Sequence, residues 1–79
     1  MKGQGVRAGV PDLCLPVARG NEHGLFIELK VAGGRVSDEQ KKWLKALSGQ
    51  GYRAAVCYGW MEAVKATCAY LGIAMPEGI

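Results

Sequence analysis

Apolar and polar positions alternate along this chain with two different periods, and the switches between them outline its elements. Asp12 to Val17 (DLCLPV) is short and mostly apolar, which predicts a strand; Pro16 removes a ladder donor and puts the strand's end at an edge or a bulge. The turn-forming run ARGNEH follows. Gly24 to Val31 (GLFIELKV) carries Leu25, Phe26, Ile27, Leu29 and Val31, apolar on both faces, and is the strongest predicted strand. The pair Gly33 and Gly34 ends it. Ser37 then opens SDEQ, in which Ser37 can cap a helix and Gln40 can close a capping box. The period changes to 3.6 over about Asp38 to Ser48, with Trp43, Leu44 and Leu47 on one face and Lys41, Lys42 and Lys45 mostly on the others. Gly49 is a natural stop. Arg53 to Tyr58 (RAAVCY) predicts a third strand, parallel to the second because a helix connects them. A second helix over about Met61 to Leu71 would bury Met61, Val64, Cys68 and Leu71 before Gly72 ends it.

The expected fold is therefore an α/β domain, β-β-α-β-α around a small mixed sheet. Residues 1–11, with three glycines and a proline, form a turn-rich, flexible lead-in, and 73–79 a loose tail. With 79 residues there is room for one domain, and a chain of this length buries only about 60% of the surface its unfolded form exposes. A second copy of the chain, or a further segment that completes the fold, would relieve that deficit.

Composition narrows the function classes more than it selects one. With 49% hydrophobic and 22% charged residues the chain is globular, not disordered. A net charge of +3 favours an anionic partner without forming a dense basic stripe. Cys14, Cys57 and Cys68 are an odd set with no CxxC, each in an apolar stretch, and read as reduced core thiols of a cytoplasmic protein. No apolar run approaches the roughly 18–20 residues needed to span a bilayer, so no membrane role is expected.

The chemistry concentrates in the second strand. Glu28 and Lys30 are two apart, so their side chains leave the same face of a segment that otherwise favours burial. Unpaired charge there costs several kcal/mol, and an ion pair alone often fails to recover its desolvation. Asp12 begins the neighbouring strand, and a hairpin would bring its carboxylate beside that of Glu28. Two convergent carboxylates repel unless a cation lies between them. Mg²⁺ suits the site, since it takes oxygen ligands and keeps waters that can attack a phosphate. Lys30 can then orient the water or stabilise charge on the phosphate.

Gly9-Val10-Pro11-Asp12, followed by Ile27-Glu28-Leu29-Lys30, resembles the PD-(D/E)xK nuclease signature, and the VRR-Nuc branch fits best, in its stand-alone phage or bacterial form. The resemblance covers most of residues 5 to 60, including the Ser37 to Gln40 helix start and the Trp43, Leu44 and Leu47 face. It implies a restriction-endonuclease-like fold and a Mg²⁺- or Mn²⁺-dependent DNA endonuclease, with branched or four-way-junction DNA as a substrate. By the same resemblance Asp12 and Glu28 would be metal ligands, the carbonyl of Leu29 a third, Lys30 the catalytic lysine, and Gln40 the helix glutamine near the metal or scissile phosphate. A homodimer and the cytoplasm of a bacterium or phage-infected host follow as further expectations. The family's usual first helix, with a further acidic residue, has no counterpart, since none of the eleven residues before Asp12 is Asp or Glu. A non-catalytic DNA-binding module on a truncated nuclease fold is the alternative.

Each residue also has a plainer reading. Glu28 and Lys30 could be an edge ion pair, Asp12 a turn aspartate, and Gln40 a capping residue and nothing more. Arg7, Arg35, Lys41, Lys42 and Lys45 could follow a DNA backbone or form a solvated face. His23 reads as a turn residue. Trp43, Tyr58 and Trp60 read as core.

Overall fold

The computed structural model describes residues 9–77. The elements are β1 (Leu13–Leu15), β2 (Leu25–Lys30), α1 (Asp38–Gly49), β3 (Arg53–Tyr58) and α2 (Trp60–Leu71), the order expected from the sequence. The strands lie in the order β1-β2-β3. β1 pairs antiparallel with β2, Leu13 opposite Ile27 and Leu15 opposite Leu25. β2 pairs parallel with β3, from Leu25 beside Arg53 to Lys30 beside Tyr58. β1 is shorter than expected: Pro16 halts pairing at once, and Asp12 lies just before the ladder, where its side chain is occupied with backbone.

Strand residues alternate between faces, and the two faces of this sheet have different fates. Leu15, Leu25, Ile27, Leu29, Ala55 and Cys57 form the core with Ala63, Ala66, Tyr70 and Leu71 of α2. The opposite face carries Cys14, Phe26, Glu28, Lys30, Ala54, Val56 and Tyr58. α1 packs on this second face, against β3. β1 is therefore only partly covered on its α2 side, where Leu15 is half-buried and Leu13 exposed, and bare on the other.

That asymmetry corrects several expectations. Cys14 is exposed, not a core thiol, because no helix lies over its side of β1. Cys57 and Cys68 are buried as expected. On α2 the buried residues are Ala63, Cys68 and Tyr70; Met61, in the first turn beyond the sheet's edge, is 42% exposed. Tyr58 (41%) and Trp60 (68%) are likewise exposed rather than core, because they flank the turn where β3 leaves the sheet. Trp43, Leu44 and Leu47 face inward but are only half-buried, and α1 buries no residue completely.

The end of the lead-in is packed. Pro11 is buried, and the backbone of Gly9 lies against the first turn of α1. α2 is fastened at the other end of the molecule by Tyr70, whose hydroxyl donates to the Val17 carbonyl at 2.6 Å, while Arg53 lies 5.9 Å from its ring and pairs with Glu22 at 2.8 Å. Tyr70→Phe leaves the ring and strands that carbonyl, so it should lower stability by about 1 kcal/mol and the melting temperature by roughly 4–8 °C in thermal unfolding. An unchanged melting curve would mean that the carbonyl finds water instead. Among the described residues, no helix is long and apolar enough to cross a membrane.

Candidate functional site

Glu28 is the buried charged side chain among the described residues, only 3% exposed in the middle of β2. Its two oxygens are treated differently by their surroundings. Oε2 accepts from Gln40 Nε2 at 2.8 Å and lies 3.5 Å from Lys30 Nζ. Oε1 is buried and, among the described residues, has no hydrogen-bond partner. Burial pushes the Glu28 carboxyl above its ordinary value of 4.5, and the charge of Asp12 pushes it further, against the opposing pull of Lys30.

Asp12 reaches this position through the β1–β2 register. Leu13 stands opposite Ile27, so the next pair inward along β2 sets Asp12 beside Glu28. Its Oδ2 accepts the Leu29 N–H at 2.8 Å, continuing by side chain the pairing that backbone makes up to Leu13. In extended backbone the N–H and C=O of one residue point to the same side of the strand. The Leu29 carbonyl therefore faces the Asp12 side as well.

Gln40 serves two elements at once. Ser37 caps α1 by accepting the Gln40 N–H at 3.1 Å, while Gln40 Oε1 accepts the Ser37 N–H at 2.8 Å, a complete capping box. The other end of the same amide holds Glu28. The capping and site contacts coexist, because one oxygen accepts and one nitrogen donates.

Gly9, the first residue of the Gly9-Val10-Pro11-Asp12 run, fixes the approach of this segment. Its φ is +89°, and an added Cβ would lie 2.6 Å from the Glu39 carbonyl carbon and 2.8 Å from the Gln40 nitrogen. A glycine three residues before a motif aspartate was the available signal, but nothing in the sequence showed what it touches. Lys30 is covered from above by Gly34, whose added Cβ would be 3.5 Å from the Lys30 Cβ. Its ammonium lies 3.5 Å from Glu28 Oε2.

The structure thus brings Asp12, Glu28, Leu29, Lys30 and Gln40 together. Arg35, Lys41, Lys42 and Lys45 are all exposed, Arg35 in the loop before α1 and the lysines on its outer side. Arg7 lies outside the described residues. Among those described, no cluster of three or more His, Cys, Asp or Glu side chains surrounds one point, so the carboxylates at hand are two. A hard cation fits this donor set nonetheless: a buried carboxylate oxygen lacks a partner beside a second carboxylate, and a backbone carbonyl faces the same side.

A family model described as the VRR-NUC domain matches residues 1–61. A solved structure described as a VRR_NUC domain protein is similar at 34% sequence identity and a TM-score of 0.83; the match covers 99% of this chain and 65% of that one. The chain thus spans less than two thirds of that protein's length. No curated protein matches it.

Proposed function

The chain belongs to the VRR-NUC domain family, and from that premise we propose that it is a metal-dependent endonuclease hydrolysing DNA phosphodiester bonds, with branched DNA as its preferred substrate. The observation that carries the reading is the partnerless buried Oε1 of Glu28 beside the Asp12 carboxylate. A buried acid so placed is costly unless a cation completes it.

Asp12, Glu28 and the Leu29 carbonyl would hold Mg²⁺ or Mn²⁺. When bound, the ion supplies Lewis-acid polarisation of the phosphate and a water of lowered pKa. The remaining work falls to the chain. Gln40 and Lys30 both engage Oε2 of Glu28, which leaves Oε1 as the ligating oxygen and fixes its direction. The Lys30 ammonium is positioned to orient the attacking water or to balance charge developing on the phosphate. Asp12 is held by the Leu29 N–H, so its carboxylate needs no rearrangement to take part. Arg35 in the loop before α1 and Lys41, Lys42 and Lys45 on its outer side would neutralise backbone phosphates, with Arg7 joining them. We read the assembly as a homodimer, supported by an apolar groove beside β1 lined by Leu13, Trp60, Val64 and Thr67, on the face away from the site.

With Mg²⁺ or Mn²⁺ the protein should nick a four-way junction or plasmid. Asp12→Ala and Lys30→Ala should not, the latter losing about 10²–10⁴-fold of rate. Equal cutting by all three proteins would remove the proposed site. Two carboxylates where such sites often gather three favour one rival, a non-catalytic DNA-binding module. DNA binding that weakens steeply with salt, with no cleavage in any divalent metal, would establish that rival.

A further inference from the structure

Tyr58 is the last residue of β3 and stands beside Lys30, the last residue of β2, in the parallel register. Paired residues on neighbouring strands point to the same face, and the strands are roughly 4.8 Å apart. The phenol therefore projects from the face that carries Glu28 and Lys30, and it flanks Lys30 on the side away from Asp12. Its backbone is fixed. The Tyr58 N–H donates to Glu62 Oε1 at 2.7 Å, and the next N–H, of Gly59, donates to the Lys30 carbonyl at 2.9 Å.

The side chain, by contrast, is left open. Tyr58 is 41% exposed, and among the described residues its hydroxyl has no hydrogen-bond partner. Gly59 beside it has nothing within 4 Å of where a Cβ would stand. Both strands end here, and open α/β sheets receive ligands beyond the carboxyl ends of their parallel strands. An anionic ligand is favoured by Lys30 on one side.

We infer that Tyr58 is a substrate-contacting residue whose ring stacks on an unpaired nucleobase next to the scissile phosphate, so that the site takes a single-stranded flank of a branched DNA. This rests on the nuclease reading of the same face. In a duplex each base is covered above and below by its neighbours, and a protein ring meets only edges and phosphates. An unpaired base offers a π-face of its own, and stacking on an aromatic side chain tolerates any sequence.

The test is binding, measured in EDTA so that cleavage does not enter. One probe is a flapped duplex with 2-aminopurine as the first unpaired base, the other a continuous duplex with 2-aminopurine at its centre. The natural protein should quench the flap probe and not the duplex probe. Tyr58→Phe keeps the ring and should behave identically. Tyr58→Ala should lose the quenching and bind the flap more weakly, on the order of tenfold or more, with duplex affinity unchanged and the circular dichroism spectrum intact. The inference is overturned if the natural protein fails to quench, if Tyr58→Ala still quenches, if Tyr58→Phe loses as much as Tyr58→Ala, or if flap and duplex weaken together. A protein that quenches the flap yet cuts nothing in any metal would defeat the nuclease reading while leaving the stacking contact in place.

Discussion

Glu28→Gln should melt at a higher temperature than the natural protein when both are free of metal, and should gain neither stability nor activity when Mg²⁺ is added. The natural residue is a buried carboxylate with one oxygen unpartnered and a second acid alongside. Gln removes the charge at nearly constant shape and can still meet Gln40, so a gain of about 1–3 kcal/mol is expected. The pH dependence follows from the direction of the shift. The folded-state value is raised above the ordinary 4.5, so the stability associated with this group is fully present below about 4.5 and is lost as pH rises through the raised value. Natural and variant proteins should thus differ little in acid and diverge toward neutral pH. Thermal unfolding against pH, with and without Mg²⁺, measures both effects. A variant that Mg²⁺ stabilises as much as it stabilises the natural chain would place the ion elsewhere.

Gly9→Ala should be among the most damaging small substitutions in the chain. The backbone there has φ +89°, and the new Cβ would meet only backbone atoms, at 2.6, 2.7 and 2.8 Å from Glu39 and Gln40. Side-chain rotation cannot relieve such contacts. The left-handed conformation alone costs about 1–2 kcal/mol, and forced overpacking typically adds about 1–3. Against a total stability of roughly 4–12 kcal/mol for a chain of this length, the loss is a large fraction. Gly33→Ala is the matched control, because Gly33 also has a positive φ (+79°) but nothing within 4 Å. It should show the conformational cost alone. Denaturant unfolding of the two variants separates the contributions, and equal losses would mean that the segment before Asp12 does not press on α1. Cleavage by Gly9→Ala should fall further than the folded fraction does, since Asp12 is carried by the displaced segment.

These two residues also show what the sequence could and could not reveal. Glu28 and Lys30 were conspicuous because charges two apart inside an apolar strand violate its pattern, and a violation needs no tertiary knowledge to detect. The parallel relation of β2 and β3 followed from the helix between them. Gly9 was different: a glycine in a turn-rich run is ordinary until one knows which backbone passes over it. Cys14, Tyr58 and Trp60 were misplaced for a related reason. Hydrophobic pattern identifies residues suited to burial, but in a three-stranded sheet with one helix per face there is not enough cover for them all. The stripe on α2 was displaced because Ala63 and Ala66, small enough to bring the helix close, form the contact in place of the larger Met61. The half-exposed ring of Tyr58 gained its meaning only from the register that sets it beside Lys30.

The double duty of the Gln40 amide has a consequence for how the molecule assembles. Strand pairing by itself can seat Asp12 next to Glu28, but the brace on Glu28 arrives only when the first turn of α1 has wound and its reciprocal cap has closed. A nascent or half-formed chain, sheet complete and helix still loose, would leave its acid unaimed. The orientation of Glu28 is thereby coupled to the winding of α1, so fraying of that helix end would release the acid as well.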